Sequence, residues 1–252
     1  MPSCGCCWPK RCTGPGASPP AILTTGNERT PAPEEARIAP RSTEVFALIV
    51  ADFIYLASQS PRRRQLLDQL GVRHVGLLPA AGAEADAAEA LEAPLPGELP
   101  ADYVQRITGL KLQAARLRLK QRGLPEAPIL CADTTVALGR RILGKPADAS
   151  EAHQMLSALS GRSHRVLTAI ALSSGPLTLA AMSVSQVKFA PLNAAVIAAY
   201  IASGEPFGKA GGYAIQSQLA GWIAHIAGSY SAIMGLPLFE TAQLLRQARV
   251  SF

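Results

Sequence analysis

The chain has 252 residues, is 48% hydrophobic and carries only 17% charged residues, enough apolar material for one sizeable core. Its formal charge of +6 permits polyanion binding, but the aromatic interleaving and motifs of a nucleic-acid binder are missing, which argues against that class. No apolar run reaches the roughly 18 residues of a membrane span, and the nearest, 46–57, carries Asp52 in its middle.

Residues 1–45 are rich in Pro, Gly, Ser, Thr and Cys and show no helical or strand period. Such a segment cannot bury enough apolar area to offset its ordering entropy and reads as a disordered extension. Cys4, Cys6, Cys7 and Cys12 have an irregular spacing with no histidine nearby, which does not suit zinc. Cys131 stands apart among apolar neighbours as a small core residue. Without a disulfide framework or an apolar leader, a reducing cytoplasm is expected.

From residue 46 onward the pattern alternates between strand and helix. Phe53–Ala57 reads as a buried strand, and Pro61–Leu70 as a helix stopped by Gly71. Residues 79–100 are rich in Ala, Glu and Pro and read as a loop. Asp102–Arg122 reads as a helix with Val104, Ile107, Leu110 and Ala114 on one stripe. Pro128–Leu138 is a strand, with Arg141–Leu143 returning as its hairpin partner. A helix over Ser150–Leu159 takes Ser150 as its N-cap. Strands near Arg165–Ser173 and Ala181–Ala190, a helix over Asn193–Ala202, a Gly-rich stretch 204–230 and a last helix over Pro237–Val250 complete the chain. Strands interleaved with helices predict an α/β domain over 46–252, a mixed twisted β-sheet flanked by helices.

Four stretches carry chemistry. In Ser60-Pro61-Arg62-Arg63-Arg64, Ser60 suits an N-cap and Pro61 the first helical position. Cations are unfavourable at a helix N-terminus unless an anion is bound there, and guanidinium forks suit phosphate. Asp133 interrupts an apolar strand, so its carboxylate is paired, metal-bound or catalytic. Lys145 is held between Gly144 and Pro146 in a tight loop that aims its ammonium. Lys209 precedes two glycines, and Gln216 follows with the donors and acceptor that reading a base edge requires. His153 and His225 read as surface or satisfied residues. His164 reads the same way, although its turn, 160–164, is one that can approach a site.

Taken together, "LASQSPRRRQLLDQLGV" (56–72), "CADTTV" (131–136), "LGKPADASEAHQMLSALSGRSHRVLTAIAL" (143–172), "YIASGEPFGKAGGYAIQ" (200–216) and "GSYSAIMGLPLFET" (228–241) resemble the Maf family of nucleoside triphosphate pyrophosphatases. The resemblance implies hydrolysis between the α and β phosphates with Mg²⁺ or Mn²⁺, in cytoplasmic proteins also described as inhibitors of septum formation. It implies that Asp133 accepts the proton of the attacking water, and that Ser60, Arg63, Lys111, Lys145 and Lys209 hold phosphates. The triplet Arg62, Thr134 and Gln216 resembles the dTTP/UTP branch, with clearance of modified pyrimidine nucleotides as an extension. The alternatives are the 7-methyl-GTP branch, or a non-catalytic nucleotide sensor acting on division. A homodimer is the family-level expectation. Three positions depart from the family pattern. Leu110 precedes Lys111, Ala214 stands where Gly is common, and the acidic pair that serves the metal is replaced by "PAAGAEADAAEA", in which Glu84 or Asp86 substitutes beside Asp133.

Overall fold

A computed structural model describes residues 51–252 apart from 83 and 85–91. The extension over 1–45, its four cysteines and Asp86 lie outside the described residues.

Strand β1 (Ile54–Leu56) is fully buried and leads through Ala57–Ser60 into helix α1 (Pro61–Gln69). Pro61 starts the helix because its missing N–H is not needed there. Ser60 holds the N-cap position but its side chain makes no cap bond; its own N–H instead donates to the Ser58 hydroxyl at 3.3 Å. Gly71 ends the helix with φ +74°. A short strand that the sequence reading did not contain, β2 (His74–Gly76), then pairs in parallel with β1. Half-exposed and only three residues long, it has too little pattern to be read in advance.

Helix α2 (Pro100–Gln121) follows, then β3 (Ile129–Leu138) and its hairpin partner β4 (Arg141–Leu143). Helix α3 (Ala149–Leu159) is capped by Asp148, which accepts from the Glu151 N–H at 2.8 Å, and Glu151 accepts in return from the Ala147 N–H at 2.8 Å. Ser150, expected to be the cap, lies inside the helix, because the longer-reaching Asp148 claims the free N–H first. Strands β5 (Ser163–Ser174) and β6 (Leu177–Phe189) form a long antiparallel pair. Helix α4 (Ala194–Ala202), two 3₁₀ turns at Ala210–Gly212 and Gln218–Trp222, strand β7 (Ile223–Ala227), and helices α5 (Tyr230–Met234) and α6 (Leu238–Gln247) close the chain.

The sheet runs β2-β1-β3-β5-β6-β7. The pairs β2-β1 and β1-β3 are parallel and the rest antiparallel, which is the mixed sheet expected. The period of two in β3 sends alternate side chains to opposite helices. Leu130 and Ala132 pack with Leu66 and Leu67 of α1 and Leu244 and Leu245 of α6. Ile129 and Cys131 pack with Leu112 and Ala115 of α2, and Ala137 with Val104 and Ile107 of the same helix. The buried stripe of α2 thus runs through Val104, Ile107, Leu112 and Ala115, while Leu110 and Ala114 are only partly covered. A further cluster joins Val166, Val187 and Phe189 to Leu156 of α3 and Ile197 of α4.

One contact locks a loop onto this frame. Gly211 has φ +69°, and a Cβ there would lie 2.9 Å from Val136. Its N–H donates to the Gly144 carbonyl at 2.8 Å. Gly211→Ala combines left-handed strain with a clash and should destabilise by about 2–4 kcal/mol in urea unfolding. Adding Val136→Ala should recover part of that loss.

Candidate active site

The site is made by an interruption in the sheet. On one edge of β3, β1 pairs with Ile129 and Leu130, and β4 pairs with Val136, Ala137 and Leu138. Among the described residues, Cys131–Thr135 therefore have no strand partner on that edge, whereas β5 pairs continuously along the other. A cleft of about 560 Å³ opens there, beyond the C-terminal end of β1, where ligands of open α/β sheets are commonly held. Because the sheet is split, residues from both of its faces reach the same cleft. Asp133 comes from the α2 side and Thr134 from the α1 side.

On the α2 side, the Lys111 ammonium donates to Asp133 Oδ1 at 2.6 Å and to Glu92 Oε1 at 2.7 Å. Lys145 donates to the other oxygen, Glu92 Oε2, at 2.7 Å. Burial by itself pushes the Glu92 carboxyl up, but the two ammoniums outweigh it and hold the group below its ordinary value. Burial likewise pulls Lys111 down, and the Asp133 and Glu92 charges outweigh it and raise the group.

On the α1 side, Arg63 is fixed through all three nitrogens. Its Nε donates to the Gly235 carbonyl at 2.7 Å, Nη1 to the Ser58 hydroxyl at 2.9 Å and Nη2 to the Thr134 hydroxyl at 3.2 Å. Proton accounting gives the direction of the chain beyond it. Thr168 donates its one hydroxyl hydrogen to the Ala232 carbonyl at 2.7 Å, so Thr134 must donate to Thr168 across their 3.0 Å contact. That leaves Thr134 a lone pair for Arg63. Gly235, whose carbonyl takes the Arg63 Nε proton, has φ +120°, a conformation that side chains rarely adopt. Desolvation lowers the Arg63 guanidinium and the Asp133 charge counteracts it. Arg62 donates to the Met234 carbonyl at 3.3 Å.

The lining brings together most of the expected residues: Ser60, Arg62, Arg63, Lys111, Asp133, Thr134, Lys145 and Lys209. Lys209 is steadied by Glu205, four residues earlier, through its backbone carbonyl and its carboxylate. Two expected residues are not among the lining. Gln216 is exposed, although its neighbour Ile215 lines the cleft. Glu84 is held by Arg118 and Arg122 and accepts from the Ala80 N–H at 2.7 Å. The acid at the site is instead Glu92, which the sequence reading missed. A count forward from Gly71 along an irregular segment fixes no position in space. Arg64 is exposed and lies outside the lining.

Six cations, Arg62, Arg63, Lys111, Arg118, Lys145 and Lys209, thus face two carboxylates. Arg118 is already matched by Glu84, and a surplus of positive charge remains for a multiply charged anion.

Glu92 gives this arrangement a pH signature. Its pKa is depressed in the folded chain, so its stabilising contribution is full above its ordinary value of 4.5 and fades as the pH falls through the lower folded value. The melting-temperature difference between wild type and Glu92→Gln should be constant above that pH and should change in the wild type's disfavour below it.

Residues 53–248 match the family model described as Maf-like protein. The chain is 62% identical over 198 residues to the dTTP/UTP pyrophosphatase of Polaromonas sp. (strain JS666), covering 79% of this chain and 96% of that protein. It is 62% identical over 199 residues to the dTTP/UTP pyrophosphatase of Ralstonia nicotianae, covering 79% and 95%. It is 59% identical over 197 residues to the protein of the same name from Albidiferax ferrireducens, covering 78% and 97%.

Proposed function

The chain belongs to the Maf family, and on that premise we propose that it hydrolyses dTTP and UTP to the nucleoside monophosphate and pyrophosphate. The observation that carries the proposal is a cation-rich cleft in which Lys111 orients the Asp133 carboxylate. The names of relatives near 60% identity supply the substrate class.

In this reading Arg63, already locked in place by three acceptors, meets phosphate oxygens with little reorganisation, which is what electrostatic stabilisation of a phosphoryl transition state needs. Arg62, Lys145 and Lys209 share the remaining oxygens. Lys111 holds Asp133 Oδ1 and leaves the second carboxylate oxygen to take the proton of the attacking water. Water adds to phosphorus, the α–β anhydride bond breaks, and pyrophosphate leaves with the bridging oxygen.

Asp133 and Glu92 fit a divalent cation. Both offer hard oxygens gathered at one site, and the ion would use the lone pairs that the Lys111 and Lys145 ammoniums leave free. Among the described residues no group of three or more His, Cys, Asp and Glu is placed to hold a metal. Water and phosphate would therefore complete the shell, the usual manner for Mg²⁺. When bound, such an ion would neutralise charge developing on the phosphates.

The same turnover extends to modified pyrimidine triphosphates, and any effect on septum formation would follow from it. No described helix is long and apolar enough to cross a membrane.

The test is pyrophosphate release from a panel containing dTTP, UTP and 7-methyl-GTP with Mg²⁺ or Mn²⁺. Turnover should favour dTTP and UTP, and Asp133→Asn should abolish it. Preference for 7-methyl-GTP would sink the specificity, and no release from any nucleotide would sink the activity. Arg63→Ala should cut kcat/KM by about 100-fold or more, the size of an oxyanion-type donor, while Arg64→Ala should leave it within about two-fold, as for a side chain that touches nothing reacting.

A further inference from the structure

His164 is 2% exposed, yet its Nδ1 has no hydrogen-bond partner. An apolar side chain would fill that space without orphaning a polar atom. At the other nitrogen, Nε2 lies 2.6 Å from the Tyr213 hydroxyl. Tyr213 belongs to the lining of the cleft, as do Lys209 and Ile215 on either side of it in sequence. We infer that His164 is a positioning residue, a latch that seats Tyr213 and thereby sets the Lys209–Ile215 segment against the nucleotide.

The surroundings favour this role. Phe189 stacks on His164 with centroids 5.5 Å apart and meets the Tyr213 ring edge-on at 4.9 Å. Phe189 thus makes one wall of the socket apolar for both rings, and the Arg162 backbone is the one further polar group that bears on the imidazole. Burial pushes the His164 imidazole down to about 4 and raises the Tyr213 phenol, so both are neutral across the physiological range and the bond persists there. The segment has a second tie two residues earlier, the Gly211 N–H to the Gly144 carbonyl, and Gly144 neighbours Lys145. The two ties flank Gly212, whose φ of +70° permits the chain reversal between them. Together they couple the aim of Lys209 to that of Lys145. Removing the His164 bond leaves the Gly211–Gly144 tie intact and frees the Tyr213–Ile215 end of the segment.

This inference rests on reading the cleft as a nucleotide site, and the test separates the two. His164→Leu keeps an apolar filling without the bond, and Tyr213→Phe removes a single oxygen. His164→Gln places an amide near the position of Nε2. His164→Leu and Tyr213→Phe should each raise KM for dTTP about ten-fold, the upper range for one hydrogen bond, with kcat within about two-fold, the pattern of lost uniform binding. His164→Gln should restore most of the KM. Backbone amide exchange over residues 208–216 should quicken in the first two variants and recover in the third. A residue that merely fills the core predicts the reverse order, because leucine suits an apolar socket better than an amide. The inference is overturned if Leu behaves as wild type, if Gln is worse than Leu, or if Tyr213→Phe leaves KM unchanged. Should His164→Leu fail to fold, Tyr213→Phe decides. Should the wild type release no pyrophosphate at all, the enzymatic reading fails by itself and amide exchange alone decides the latch.

Discussion

The site depends on one ammonium placed between two carboxylates. Lys111 projects from α2 to Asp133 on β3 and to Glu92 on the segment before α2. Carboxylates gathered at one site repel, and for Glu92 the Lys111 and Lys145 charges outweigh the cost of burial. The desolvation cost of such a group is large, and a buried ion pair is weak grounds for stability. Its value here is conformational: a strand, a helix and an irregular segment are held in one arrangement, with carboxylate oxygens turned toward a cationic cleft.

The interruption of the sheet makes that arrangement possible. In an unbroken sheet Asp133 and Thr134 would face opposite layers and never share a ligand. Because β1 stops at Leu56 and β4 pairs only from Val136, the edge between them is open and both residues reach one cavity. The two sides then divide the work. The α2 side supplies the carboxylates. The α1 side supplies an arginine fixed by Gly235, Ser58 and the Thr134–Thr168–Ala232 chain. The cost of orienting that guanidinium is met in folding, so little remains to be met when an anion arrives.

Much of this was legible in advance because the relevant signals are local. Pro61 at a helix start, Gly71 at its end, the period of two along β3 and the unusual Asp133 within it need only a few neighbours to be read. Elements with little pattern were not legible: β2 has three residues, and β7 is an edge strand with partly exposed side chains. Ser60 was legible as a cap by position but not by bonding, since its side chain accepts from no helix N–H. Glu84 and Glu92 look alike in an Ala- and Glu-rich stretch. Only the packing assigns one to Arg118 and the other to Lys111.

By itself, the sequence determined the α/β class, the helix and strand boundaries to within a few residues, and the chemical character of the cleft, because propensity, capping and charge are properties of short segments. The tertiary structure alone decided which acid joins Asp133, that Thr134 is spent in holding Arg63, that Gln216 stays at the surface, and that His164 reaches Tyr213. Each of these is a contact between residues far apart in the chain. Its geometry follows from how helices pack on a split sheet, and no count along the backbone contains that distance.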